Sequence, residues 1–109
     1  MKLVMAIVND EDAYGITNHL NERGYSVTKL ASTGGFLRSG NTTLICGVED
    51  DRIPELMQII EKKCRARKQM ADVSTAHTSA NENYVPYPVE VTVGGATIFV
   101  LNIEELKKV

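Results

Sequence analysis

A stretch with three glycines, residues 33–41, holds the side chains best suited to bind a ligand. Gly34 and Gly35 have no side chains, so their backbone N–H groups can approach a bound group closely. Phe36 follows them and offers a flat face on which a nucleobase can stack. Asn41 closes the stretch and carries both a donor and an acceptor for the edge of a base. We call residues 33–41 the Gly-rich loop, and its residue types indicate nucleotide binding.

A simpler interpretation of the same loop stays open at this point. Two adjacent apolar side chains, Phe36 and Leu37, need a surface to pack on, and this surface could be the domain's own core. In the ligand-binding interpretation, Thr28 presents a hydroxyl to the site from the preceding predicted strand. The loop does not have the spacing G-x-x-x-x-G-K-[ST], which argues against a Walker-type triphosphate site.

The remaining reactive side chains do not form a catalytic or metal-binding pattern. The two histidines and two cysteines lack the spacing of metal ligands. Cys46 and Cys64 fall in an apolar strand and an apolar helical stripe, where buried, inert thiols are expected. The acidic runs at 10–12 and 49–51 are explained as charges at helix N-termini. We therefore expect a protein that is not an enzyme and has no metal and no resident cofactor.

Length, charge and composition limit the class of protein further. The chain has 109 residues, of which 43% are hydrophobic and 24% charged, as is typical of one globular domain. A formal net charge of -2 argues against a protein whose main partner is the nucleic-acid backbone. No apolar run reaches the ~18 residues of a membrane span. Two cysteines without a paired spacing are typical of a reducing compartment. We expect a cytoplasmic protein that does not insert into membranes.

Hydrophobic patterning predicts the elements that position these groups. A continuous apolar run is typical of a buried strand, and the helical spacing of Ala13, Ile16 and Leu20 predicts an amphipathic helix. A second apolar stripe runs from Ile53 to Cys64, with Pro54 in its first turn. The predicted elements are a strand at 3–8, a helix at 11–23, strands at 25–31 and 42–48, and a helix along the second stripe.

The last third of the chain predicts a long loop followed by a hairpin. Residues 68–88 show no sustained period and are predicted as a loop. Strands at 89–93 and 96–101 flank Gly94-Gly95, which predicts a two-residue hairpin turn. Asn102 and Glu105 have the spacing of a capping box, which predicts a short helix ending at residue 108.

The predicted order is β-α-β-β-α-β with the last strand doubled by a hairpin, the pattern of a ferredoxin-like α+β domain. Such a domain carries both helices on one face of an antiparallel sheet and leaves the other face uncovered. A small domain without a third layer commonly covers that face by self-association. We therefore predict a single domain over residues 1–109 that assembles as an oligomer.

Four motifs in the chain resemble those of the PII-like cyclic di-AMP receptor proteins. They occupy residues 28–43, 47–50, 84–91 and 93–100, so the resemblance spans nearly the whole chain. It implies a homotrimer of ferredoxin-like subunits that binds cyclic di-AMP in the clefts between neighbours. It also implies that binding orders the loops, which then present or hide a surface for a protein partner.

The same resemblance assigns candidate ligand-binding residues. The resemblance implies that the residues at matching motif positions surround an adenine and the adjacent phosphate of the ligand. It also implies that Phe99 of a neighbouring subunit contributes to the cleft. The family often carries an arginine where this chain has Ser26, which removes a charge-assisted contact worth about 1.5 to 3 kcal/mol and lowers the expected affinity. The candidate set is Ser26, Thr28, Gly35, Phe36, Leu37, Asn41, Gly47, Gly94 and Phe99.

Three functions are compatible with these residues. The first is a signalling receptor for cyclic di-AMP with an unidentified protein partner. The second is a PII-like sensor of ATP or another adenine nucleotide, which Phe36 and Asn41 would serve equally well. The third is a docking module in which Phe36 and Leu37 contact a protein and no small ligand binds.

Overall fold

Six β-strands and two α-helices occupy the residues that the computed structural model describes, which are 1–32, 40–72 and 88–109. A single 3-10 turn, Asp50–Arg52, leads into the second helix. The elements in chain order are β1 (Lys2–Asn9), α1 (Asp10–Glu22), β2 (Thr28–Ser32), β3 (Asn41–Val48), α2 (Ile53–Cys64), β4 (Arg67–Asp72), β5 (Pro88–Val93) and β6 (Ala96–Asn102).

The main sheet has the strand order β2-β3-β1-β6, and each neighbouring pair is antiparallel. β1 lies in the interior of this sheet and is apolar at consecutive positions, so it presents apolar side chains to both faces of the sheet. The predicted order β-α-β-β-α-β is confirmed when β6 is taken as the last strand. The protein therefore has an α+β fold consistent with a ferredoxin-like domain.

The core lies between this sheet and the two helices. Alternate residues of β1 and β3 point into it, and the buried stripes of α1 and α2 pack on them. Tyr25 fastens the chain after α1, because its hydroxyl donates to the Arg52 carbonyl at 3.2 Å and the Arg52 guanidinium lies 4.0 Å from its ring. The largest fully buried side chains include Val4, Val8, Ile16, Leu20, Leu44, Leu56, Ile60 and Cys64.

The C-terminal third departs from the sequence prediction. β5 pairs with β4, from Arg67 opposite Val93 to Asp72 opposite Pro88, while β6 pairs with β1. The predicted hairpin between β5 and β6 is therefore wrong. Residues 68–72 and Pro88, predicted as the ends of a long loop, belong to strands. We call the separate two-stranded sheet of β4 and β5 the ribbon.

The glycine pair causes this difference. Gly94 and Gly95 have φ of +80° and +96°, a conformation that favours glycine, and they lead the chain from the ribbon to the edge of β1. Pairing with β1 gives β6 a place in the main sheet, which a local hairpin would not provide. The glycines therefore separate two strands of different sheets and form no hairpin turn.

The predicted C-terminal helix is also wrong, since residues 103–109 contain no helix. Only Ile103 in this segment is partly buried, so the segment has no apolar face to pack. The free-energy cost of forming the first helical turn exceeds what the few hydrogen bonds of such a short segment contribute.

Two interactions hold the base of the ribbon against the domain. The Arg67 guanidinium donates to both carboxylate oxygens of Asp12, with Nη2 to Oδ1 at 3.0 Å and Nη1 to Oδ2 at 3.5 Å. The Gly95 N–H donates to the Cys64 carbonyl at 2.5 Å. A Cβ atom on Gly94 would collide with the Arg67 guanidinium and lie 2.8 Å from the Arg65 carbonyl oxygen. The first turn of α1 and the end of α2 therefore both contact the ribbon base.

Candidate functional site

The face of the main sheet opposite the helices is the surface that holds most of the described candidate residues. We call it the open face. Three of its large apolar side chains are well exposed, with Leu30 at 49%, Phe99 at 39% and Leu101 at 46%. Side chains alternate across a strand, and paired residues share a face. The open face therefore contains Leu3, Met5, Ile7, Asn9, Thr28, Leu30, Asn41, Thr43, Ile45, Gly47, Thr97, Phe99 and Leu101.

Four of the predicted site residues share this face: Thr28, Asn41, Gly47 and Phe99. Thr28 and Phe99 lie in one row across the sheet, because Thr28 is opposite Ile45, Ile45 opposite Met5, and Met5 opposite Phe99. Three strand spacings separate the ends of this row, which is about 14 Å. Within one subunit, Thr28 and Phe99 are thus on opposite edges of the open face.

Gly47 leaves a gap in the open face next to Leu3. A Cβ atom placed on Gly47 would meet nothing closer than the Met1 sulfur at 3.8 Å, which is ordinary van der Waals contact. The chain itself therefore has room for a side chain here, and the glycine leaves this space open on the open face.

Asn41 lies at the corner where β1 ends and β3 begins, and it is the last residue of the Gly-rich loop. Its side chain is 1% exposed, and that of its cross-strand partner Asn9 is 6% exposed. With Thr42 they are the buried polar side chains of the described residues. In the isolated chain, the Asn41 side chain is therefore covered.

Backbone and side-chain hydrogen bonds fix this corner. The Asp10 N–H donates to the Gly40 carbonyl at 3.1 Å, and the Thr42 hydroxyl donates to Asp10 Oδ1 at 2.7 Å. A depression of about 280 Å³ opens beside them, lined by Asn9, Asp10, Glu11 and Gly40. Two carboxylates at its rim favour groups that donate hydrogen bonds and disfavour phosphate.

The other predicted site residues lie elsewhere or outside the described residues. Ser26 is exposed and precedes β2 by two positions. Gly94 lies at the ribbon base and precedes the start of β6, where Ala96 pairs with Val8. It is therefore near the Asn9 end of the main sheet but is not part of the open face. Gly35, Phe36 and Leu37 fall in residues 33–39, which the structure does not describe.

Asn9 is the residue of the corner that sequence patterning misses. It follows an apolar run and precedes three acids, so patterning groups it with the polar cluster that starts α1. Continuing the alternation of Leu3, Met5 and Ile7 by one step would place it on the open face. Its partner cannot be identified in this way, because the register of β1 against β3 is not encoded by either strand alone.

The two thiols lie away from the open face and are poor nucleophiles. Burial raises the pKa of the Cys46 thiol. Burial, with a smaller contribution from the Asp12 carboxylate, raises the pKa of Cys64 to about 11. Both thiols therefore stay protonated at neutral pH. Cys64 also lines a cavity of about 420 Å³ between the end of α2, the ribbon base and β6, on the helix side of the sheet.

Metal binding and membrane insertion have no support in the part of the chain that the structure describes. Among residues 1–32, 40–72 and 88–109, no group of three or more histidine, cysteine or acidic side chains converges on a common point. In the same ranges, neither helix is long and apolar enough to cross a membrane.

Comparison with known proteins connects this geometry to a family. A family model described as cyclic-di-AMP receptor matches residues 1–109. The chain is also similar to a crystal structure described as a functionally unknown protein from Pediococcus pentosaceus ATCC 25745. The two sequences are 38% identical, the match covers 99% of this chain and 96% of the other, and the TM-score is 0.79.

Proposed function

The chain belongs to the cyclic-di-AMP receptor family, and from that premise we propose that it binds cyclic di-AMP in the clefts between subunits of a homotrimer. The role is that of a receptor without catalysis. The observation that carries the proposal is the shared placement of Thr28, Asn41, Gly47 and Phe99 on the open face. These residues come from three strands, β2, β3 and β6, and the fold gives them one surface.

The width of the sheet supports a site made by two subunits. Thr28 and Phe99 lie on opposite edges of the open face, about 14 Å apart. A single adenine stacked near Thr28 therefore cannot touch Phe99 of the same chain. When open faces of neighbouring subunits meet, the β6 edge of one can approach the β2 edge of the next. Phe99 of the neighbour then closes the cleft.

The apolar character of the open face supports oligomerisation. Leu30, Phe99 and Leu101 are exposed in the isolated subunit, and exposed apolar patches of this kind mark interaction surfaces. Three copies around an axis would bury these side chains while leaving the polar corner at Asn41 near the edge of the contact. A trimer is the assembly that the family resemblance favours.

Signalling requires that occupancy changes a surface that a partner can read. The Gly-rich loop begins after β2 and returns at Asn41, so a ligand at this corner contacts the loop directly. The ribbon base lies at the same end of the sheet, where Arg67 of β4 donates a hydrogen bond to Asp12 of α1. We infer that ligand binding alters the Gly-rich loop and the ribbon. We infer further that a protein partner in the cytoplasm recognises this change.

Calorimetric titration tests the proposal. Native protein is titrated with cyclic di-AMP, with ATP and cyclic di-GMP as controls, and the Asn41→Ala variant is titrated in parallel. We expect one cyclic di-AMP per subunit, no heat from cyclic di-GMP, and an affinity at least tenfold lower in Asn41→Ala. Binding of ATP in place of cyclic di-AMP would identify a different adenine-nucleotide sensor. An absence of heat from every nucleotide would favour the docking function.

A further inference from the structure

A groove of about 170 Å³ opens between α1 and α2, on the side of the protein that the proposed nucleotide site does not use. We call it the helix groove, and we propose that it is a docking site for an acidic segment of a protein partner. The inference goes beyond the proposed function, because it names the chemistry of a partner and concerns a surface away from the open face.

The helix groove carries a positive charge that the rest of the chain does not share. Three of its lining side chains are cations, Arg23, Lys62 and Lys63, and one is a carboxylate, Glu55, which leaves a formal charge of +2 with histidine neutral. The whole chain has a formal net charge of -2, so the residues outside the groove sum to -4. An anionic segment is therefore attracted to this groove and repelled by the average of the remaining surface.

The two lysines of the groove are available to carboxylates of another molecule. Within residues 1–32, 40–72 and 88–109, neither Lys62 nor Lys63 forms an ion pair. Both side chains are exposed. Arg23 has a weak partner, since its Nη1 lies 3.9 Å from Glu55 Oε1 and both side chains are largely exposed. Recognition of acidic motifs by clusters of cations uses side chains in this state.

The shape of the groove fits a narrow segment of chain. Arg23 follows the end of α1 and lies beside Glu55 in the first turn of α2, so the two packed helices run antiparallel. Lys62 and Lys63 are two turns further along α2, about 11 Å away. Ile59 lines the groove between these cationic ends and is 8% exposed. A flat anionic surface would contact only the rims, whereas a narrow chain can enter the groove.

The distance between the cationic ends limits the spacing of the partner's acids. Carboxylates two turns apart on a helix are separated by about 11 Å. Carboxylates three residues apart on an extended chain are separated by about 10 Å. Either arrangement places one acid near Arg23 and another near the lysine pair, Lys62 and Lys63.

The helix groove stays accessible in the proposed assembly. α1 and α2 pack on the face of the main sheet opposite the open face. Open faces of several copies can therefore meet around an axis without covering the helices.

Fluorescence anisotropy with labelled octaglutamate tests the proposal, at low salt and without nucleotide. We expect native protein to bind octaglutamate and not octaserine with the same label. In the double variant Lys62→Glu/Lys63→Glu we expect the affinity to fall about tenfold, because two attractive charges become repulsive. Lys107→Glu/Lys108→Glu is the matched control, since it makes the same change in net charge on an exposed lysine pair outside the groove. Its affinity should stay native.

Glu55→Gln provides a test that misfolding cannot imitate, because it is expected to strengthen binding. The substitution removes the carboxylate of the groove and frees Arg23, so octaglutamate should bind about threefold more tightly, the scale of an exposed ion pair. Glu61→Gln makes the same change in net charge on the same helix, but Glu61 lines the cavity beside Cys64 and not the groove. Its affinity should stay native. Circular dichroism checks that both double lysine variants keep their helices.

The proposal is overturned if native protein does not bind octaglutamate. Equal losses in the two lysine variants, or equal gains in the two glutamine variants, would also overturn it, because they would indicate attraction to net charge alone. Displacement of octaglutamate by inorganic phosphate, but not by sodium chloride of equal ionic strength, would assign the groove to small anions instead. Binding of vesicles of phosphatidylglycerol without binding of octaglutamate would assign it to a membrane surface. Nucleotide is absent from every assay, so failure of the proposed cyclic di-AMP site would leave these results unchanged.

Discussion

At the scale of single residues, Gly47 offers a direct test of the open face as a ligand surface. The chain has room for a methyl group there, since the nearest atom to an added Cβ would be the Met1 sulfur at 3.8 Å. We expect Gly47→Ala to fold normally and to weaken cyclic di-AMP binding at least tenfold by occupying ligand space. Calorimetry and thermal melting measure the two effects.

Gly15→Ala serves as the control for this substitution. Gly15 is exposed in α1 and a Cβ there meets nothing within 4 Å. Alanine should raise stability by about 0.5 to 1 kcal/mol through helix propensity and leave binding unchanged. If Gly47→Ala binds cyclic di-AMP with native affinity, Gly47 is not part of the ligand site.

Cys64 gives a prediction for alkaline pH. Its folded pKa of about 11 lies above the ordinary thiol value of 9.0, so the folded state keeps the proton that the unfolded state loses. Stability from this group is complete below pH 9 and is lost as the pH rises toward 11, by on the order of 2 kcal/mol. Urea unfolding at pH 8 and pH 10.5 should show a smaller pH-dependent loss in Cys64→Ala than in native protein. Equal losses of stability in native protein and in Cys64→Ala would show that Cys64 does not cause the pH dependence.

At the scale of elements, the Asp12 contact predicts how the ribbon is held. Arg67→Lys keeps the charge but cannot donate to both carboxylate oxygens from one planar group. We expect faster amide hydrogen exchange at Gly95 and along β4 and β5 in this variant, measured by mass spectrometry.

Lys68→Gln is the matched control for the ribbon. It removes an exposed ion pair to Glu90 one position further along β4, at 3.2 Å. Exposed pairs of this kind contribute little, so exchange at Gly95 should stay native. Identical exchange in the Arg67 and Lys68 variants would show that the Asp12 pair does not hold the ribbon.

The elements also show what patterning can and cannot predict. Both helices are predictable because their apolar residues face a core at a regular period, and β1 is predictable because it is a continuous apolar run. β4 escapes prediction because its polar sequence, beginning Arg67-Lys68-Gln69, does not alternate as a strand on a core does. The Gly94-Gly95 pair marks the end of β5, but the partner of β5 depends on long-range pairing.

The site is predictable to a similar extent. Motif resemblance assigns Thr28, Asn41, Gly47 and Phe99, and the fold brings them to one face. Gly94, also in the candidate set, lies at the ribbon base. The position of Asn9 opposite Asn41 escapes prediction, because it depends on the pairing of β1 with β3 and no local pattern reports it.

At the scale of the whole molecule, the open face predicts the assembly. Ile45 lies in the middle row of that face, between Thr28 and Met5. We expect native protein to sediment at about three times 12.0 kDa and Ile45→Glu to sediment as a monomer, because burying a carboxylate without a partner is costly. Analytical ultracentrifugation measures the mass, and circular dichroism checks that the helices remain.

Tyr14→Glu is the control for the assembly. Tyr14 is exposed on α1, on the helix side of the sheet, so a charge there should leave the mass native. An Ile45→Glu variant that keeps the native mass would place the interface on another surface.

The buried position of both cysteines makes the protein well suited to fluorescent labelling. The chain has two cysteines, and both are enclosed by the core as protonated thiols. Maleimide dyes require an accessible thiolate, so they should leave the native chain unmodified. A cysteine introduced at the exposed Lys68 position would then accept a single dye on the ribbon. Its emission would follow the ribbon in real time as nucleotide is added, without removal of either natural cysteine.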